Sequence, residues 1–119
     1  TKQMIYKEKE ERPWGTFLVL HDENSYKLKR IEVKPEGRLS YQYHHKRSEA
    51  WTIVQGIGTI TLDGIVSQHK KGETILIPQG VKHRIENKGK EKVIFIEVQT
   101  GSYFGEDDIV RIEDDYNRV

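Results

Sequence analysis

Apolar and polar residues alternate in short runs along most of the chain, a period of two that argues for strands with one buried face. The runs are Thr16 to Leu20, Tyr26 to Val33, Leu39 to His45, Glu49 to Val54, Thr59 to Leu62, Ile65 to Lys70, Thr74 to Ile77, His83 to Glu86 and Val93 to Gln99. Turn residues separate them: Pro35 to Gly37, the hairpin pair Asp63 and Gly64, and Pro78 with Gly80. In Tyr26 to Val33 the apolar positions slip by one between Leu28 and Ile31, which predicts a bulge. Short, evenly spaced strands with no convincing amphipathic helix in the middle of the chain predict an all-β fold, an antiparallel sandwich or jelly-roll barrel.

Two end segments flank this pattern. Residues 1 to 11 are rich in Lys and Glu around Met4, Ile5 and Tyr6. They read either as a solvated arm or as an edge strand that pairs with a second subunit, so a homodimer is expected. The acidic tail from Gly105 to Val119 is open to two readings, a short terminal helix or a covering strand. With 119 residues and 34% hydrophobic content, the chain has room for a single domain over 1–119 and no further nucleotidyltransferase domain. A net charge of +1 without a basic run gives no electrostatic case for nucleic acid. No apolar stretch reaches membrane-spanning length and no signal peptide is visible. The absence of cysteine excludes a disulfide framework and a thiol nucleophile. Cytoplasm is the expected location.

Candidate chemistry sits on two of the runs. Gln42 and His44 are two apart on an extended stretch and leave the same face of a strand. Glu49 follows on the next strand. Downstream, Pro78 and Gly80 shape a turn that aims His83 onto its own strand. Two imidazoles, one carboxylate and one amide oxygen suit a divalent metal such as zinc, manganese, cobalt, nickel or iron. A frame shifted by one would offer Tyr43 and His45 instead. The phenol of Tyr43 would have to shed a proton of pKa about 10 to become a good ligand, so Gln42 and His44 are the better pair. In Val93 to Gln99 the residues Phe95, Glu97 and Gln99 share a face. Glu97 is thus an inward carboxylate, read as a proton-transfer base or its orienting partner, or else as a strand-edge salt bridge. Arg12, Pro13, Trp14 and Gly15 form a rigid corner that either packs or presents the Arg12 guanidinium to a phosphate or carboxylate.

The spacing of Gln42, His44, Glu49 and Gly56, and of Gly72, Pro78, Gly80, His83 and Asn87, resembles the two motifs of the cupin superfamily. The opening tetrad from Arg12 to Gly15, Leu39 and Ser40, Arg47, Trp51, and the stretch from Glu97 to Arg111 look like the type II phosphomannose isomerase domain. In that family the domain is often the C-terminal part of a bifunctional mannose-6-phosphate isomerase and mannose-1-phosphate guanylyltransferase. Lys46 and Ala50 stand where the family usually has histidine.

The resemblance implies a double-stranded β-helix and metal-dependent interconversion of mannose 6-phosphate and fructose 6-phosphate through an enediolate. It also implies roles for several cations in holding the sugar phosphate. Arg12, Arg47, Arg111 and Arg118 are candidates by their places in the pattern, and Arg30 by its place on a barrel strand. Arg111 and Arg118 are expected to point inward and close the barrel, with Glu106, Asp107 and Asp108 as their partners or as the cap of a terminal helix. The other reading is a non-catalytic cupin that binds a sugar phosphate or sugar nucleotide beside a separate guanylyltransferase.

Overall fold

The computed structural model describes residues 5–116, and among them it shows strands and no helix. The strands are β1 (Glu8–Arg12), β2 (Gly15–Asp22), β3 (Tyr26–Val33), β4 (Tyr41–Tyr43), β5 (Arg47–Gln55), β6 (Gly58–Leu62), β7 (Ile65–His69), β8 (Thr74–Ile77), β9 (His83–Glu86), β10 (Val93–Gly101) and β11 (Val110–Glu113). They form a six-stranded sheet in the order β1-β2-β3-β10-β5-β8 and a five-stranded sheet in the order β11-β4-β9-β6-β7. Every pairing is antiparallel. Among the described residues no helix is long and apolar enough to cross a membrane.

Register explains why one end of the sandwich is a core and the other a site. Across the larger sheet one inward row reads Phe17, Ile31, Phe95 and Ile53, all buried. With Ile60 and Ile85 from the facing sheet these side chains make the core, each contributing roughly 1.5–3 kcal/mol by leaving water. The next row is Val19, Lys29, Glu97, Trp51 and Ile75. The row beyond that is Lys27, Gln99, Glu49 and Ile77. Moving four residues along β3, β10 and β5 therefore replaces Ile31, Phe95 and Ile53 by Lys27, Gln99 and Glu49.

Local chemistry supports this placement. Asp63 (φ 44°) and Gly64 (φ 85°) both take positive φ between β6 and β7, the backbone a two-residue hairpin needs. The turn before β9 is clipped in place by Gly80, whose amide donates to the His44 carbonyl at 2.9 Å. Trp14 lies in the core, so the corner from Arg12 to Gly15 is a packing element as well as a source of Arg12.

One expectation is corrected, and of the readings left open for the two ends a strand is what forms at each. Strand β3 carries no bulge, because its burial alternates without interruption and Lys27 and Lys29 occupy inward positions. The register shift falls on β2, between Val19 and His21. The tail forms strand β11 beside β4, with no helix among the described residues. Residues Glu8–Arg12 pair with β2 of their own chain as an edge strand. Met4 and Arg118 lie outside the described residues.

Candidate metal centre

His44 follows directly on β4, Glu49 lies near the start of β5, and His83 opens β9. All three side chains are buried. His44 Nε2 lies 3.2 Å from Glu49 Oε2, and His83 Nε2 lies 3.9 Å from Glu49 Oε1. One ligand atom from each residue falls within 4.8 Å of the other two. Ligands about 2.0–2.2 Å from a shared ion stand at separations of this order.

The histidine tautomers are set by their neighbours. His44 Nδ1 lies 2.8 Å from the Asp108 carbonyl, and His83 Nδ1 lies 2.9 Å from the Val81 carbonyl. A carbonyl only accepts, so each Nδ1 carries the proton and each Nε2 keeps its lone pair for the cluster. Burial pushes the His83 imidazole below its ordinary value, which favours the neutral ligand form. For Glu49, burial acts upward, but the groups around its carboxylate, with the Arg47 guanidinium as the permanent cation among them, hold the carboxyl well below the usual range. Its oxygens also accept from Trp51 Nε1 at 2.9 Å and Arg47 Nε at 2.8 Å. Neutral imidazoles and an ionised carboxylate, converging and buried, fit a borderline divalent ion.

Gln42 stands opposite His83 in the ladder, and its amide nitrogen donates to Ser40 Oγ at 2.6 Å. That leaves the amide oxygen as the atom it can offer a cation. His45 is exposed and packs edge-on against Tyr43, and it is His44, not His45, that the structure brings together with Glu49 and His83.

The cluster opens into a cavity lined by Arg12, Lys29, Arg47, Glu97, Glu106 and Arg111, among others. Glu97 is buried and accepts from Gln99 Nε2 at 2.6 Å. Burial and the negative charge of Glu49 push its carboxyl up to about 8. Arg12 lies at the rim, paired with Glu10 at 2.6 Å, its guanidinium 5.3 Å from the Phe17 ring centre. Arg111 on β11 stands opposite Gln42. Arg30 is not brought to the site: it alternates with the inward Lys29 and Ile31 and pairs with Glu32 at 3.3 Å on the other face of the sheet.

The sequence reading missed two groups. Lys29 is buried, pairs with Glu106, and sits 4.4 Å above the Phe17 ring. Lys27 donates to the Phe104 carbonyl at 3.5 Å. The slip between Leu28 and Ile31 was the available signal, since a continuous strand must then face two lysines inward. Asp108 was expected to partner an arginine or cap a helix, and Glu106 likewise. Instead Glu106 meets Lys29, and the Asp108 carboxylate accepts from the amides of His45 at 3.1 Å and Lys46 at 2.9 Å. Asp108 thus fixes the turn that carries His44 and orients its ring. Asp108→Ala keeps the main-chain carbonyl that orients His44 but removes the carboxylate that holds the turn, and is expected to weaken metal binding about tenfold, the low end for an indirectly acting group, with the sheets intact by circular dichroism.

The sequence model described as "Mannose-6-phosphate isomerase C-terminal" matches residues 1–114. The chain belongs to this isomerase C-terminal family. Among relatives of this family member, the mannose-1-phosphate guanylyltransferase ManC of Salmonella typhimurium is 46% identical over 108 residues, covering 91% of this chain and 22% of that protein. The xanthan biosynthesis protein XanB of Xanthomonas campestris is 45% identical, covering 91% and 23%. The alginate biosynthesis protein AlgA of Pseudomonas aeruginosa is 43% identical, covering 91% and 22%. The isomerase C-terminal domain described here therefore spans less than a quarter of the length of these relatives.

Solved structures agree on the architecture. The capsular polysaccharide assembling protein CapF of Staphylococcus aureus superposes with a TM-score of 0.75 at 22% identity, over 88% of this chain and 31% of that one. A double-stranded β-helix protein of Klebsiella pneumoniae gives 0.72 at 23% identity, over 81% and 77%. The fold is the cupin double-stranded β-helix.

Proposed function

We propose that this domain is a metal-dependent aldose–ketose isomerase that interconverts mannose 6-phosphate and fructose 6-phosphate. The observation that carries the reading is one cavity in which a buried carboxyl, Glu97, lies with the His44, Glu49 and His83 cluster among inward cations. The family description supports the substrate class.

The reaction moves a proton between C2 of the aldose and C1 of the ketose, while a hydroxyl proton passes between O1 and O2. Glu97 is the group that takes and returns the carbon-bound proton. A carboxyl pushed up to about 8 holds both its forms at useful levels near neutral pH, as a base that must also act as an acid requires. A divalent ion on His44, Glu49 and His83, with Gln42 beside them, would supply the Lewis acid that polarises the sugar carbonyl. Arg12, Lys29, Arg47 and Arg111 provide the positive charge for the phosphate, with Arg47 and Lys29 deepest. Trp14 and Phe17 close the apolar side and limit water.

A second reading is favoured by the relatives' names, which are those of guanylyltransferases and biosynthesis proteins in which this region is under a quarter of the chain. There the domain would bind a sugar phosphate or sugar nucleotide without turning it over. A coupled assay with mannose 6-phosphate on metal-reconstituted protein separates the two. Isomerase activity abolished by chelation and restored by one of zinc, manganese, cobalt, nickel or iron(II) is the expected result. Tight binding with no turnover under every metal selects the second reading.

A further inference from the structure

The Arg47 guanidinium occupies an unusual position for a phosphate-binding group. It is buried, its Nε donates to Glu49 Oε2 at 2.8 Å, and its Nη2 reaches His44 Nε2 at 3.3 Å. Its Nη1 is buried with no hydrogen-bond partner among the described residues. Glu49, Glu97 and Glu106 all act on its charge. The backbone holds it there: a Cβ on Gly101, across the ladder, would meet Lys46 O at 2.2 Å and Arg47 Cα at 2.8 Å, so only glycine lets β10 lie this close to Arg47.

His44 carries its proton on Nδ1, which leaves a single in-plane lone pair on Nε2. A guanidinium has donors only, so Arg47 uses that same lone pair. It cannot serve Arg47 and a metal ion together. A dication on Glu49 would also repel a guanidinium held 2.8 Å from its carboxylate.

We propose that Arg47 is an internal placeholder for the metal: it satisfies His44 and Glu49 when the metal is absent, and metal loading turns its Nη groups into the cavity as an oxyanion clamp. Metal and oxyanion then bind cooperatively. Nη1 already lacks a partner, and loading strips Nη2 of its own, so two donor groups in the cavity await an anion. By linkage, the anion must raise metal affinity by the same factor that the metal raises anion affinity. The inference uses the metal reading of the cluster but not the isomerase reading.

The test is a titration of chelator-stripped protein with cobalt(II) against a chromophoric chelator, with and without inorganic sulfate as the oxyanion probe. In the wild type, sulfate is expected to tighten cobalt binding about five- to a hundredfold. In Arg47→Met, cobalt should bind more tightly than in the sulfate-free wild type, because no placeholder has to leave, and sulfate should have no effect. Weaker or equal cobalt binding by a folded Arg47→Met overturns the proposal. So does a wild-type affinity indifferent to sulfate, a measurement that needs no variant to fold. Heteronuclear NMR adds a direct view, since the Arg47 Nε–H signal should shift on adding zinc. These readouts involve no turnover. A catalytically silent protein that shows the coupling refutes only the isomerase reading, and an active isomerase without the coupling refutes only this one.

Discussion

His44→Ala and His83→Ala are each expected to lose metal by well over about a hundredfold, more than the loss of a group that only orients a ligand, and to lose turnover with it. His45→Ala is expected to keep both. The contrast is sharp because His44 and His45 are chain neighbours of the same residue type. His44 is 3% exposed and shares the cluster with Glu49, whereas His45 is exposed beside Tyr43. Metal content by elemental analysis after dialysis, alongside the coupled assay, reads the result. Equal loss from His44→Ala and His45→Ala would remove the metal centre as drawn.

Much of this site was legible because a strand has a period of two. Gln42 and His44 share a face by count alone, and Phe95, Glu97 and Gln99 do so on β10, where all three prove buried. The turn at Pro78 and Gly80 announced itself through residues that fix or free φ. What failed to show was whatever depended on treating a long cation as outward by default. A strand that reads Lys27, Leu28, Lys29, Arg30, Ile31 is ambiguous on polarity. A place on a barrel strand does not by itself say which face Arg30 takes, and the unbroken strand puts Lys27 and Lys29 inside and Arg30 on the other face. The inward lysines are tolerated because Glu106 and the Phe104 carbonyl come from a segment some 77 residues away, a pairing no local pattern encodes. Asp108 is hidden for the same reason, since the carbonyl that orients His44 and the carboxylate that holds the next two amides belong to the tail.

Glu97→Gln is expected to separate the chemistry of the site from its stability. The amide keeps the shape and can still accept from Gln99, but it cannot take a proton, so turnover should fall about a hundred- to ten-thousandfold with metal content unchanged. The effect on stability of the metal-free protein runs the other way. Burial and Glu49 raise the Glu97 carboxyl from an ordinary 4.5 to about 8 in the folded chain. Between those values the unfolded chain has released a proton that the folded chain still holds, so the wild type loses stability as pH rises from the lower value through the upper. Every tenfold difference in proton affinity between the folded and unfolded chain is worth about 1.4 kcal/mol, so the total is on the order of a few kcal/mol. Glutamine has no such dependence. The melting temperature of Glu97→Gln should therefore match that of the wild type near pH 5 and exceed it increasingly up to about pH 8. A variant that loses turnover without this alkaline gain would mean that Glu97 is already ionised in the folded protein. One that keeps turnover would mean that another group moves the proton. The two measurements on one substitution thus decide whether the inward carboxyl is held neutral and whether it works, and the proposed chemistry requires both, because only a group poised between its two forms can take a proton from one carbon and return it to the next.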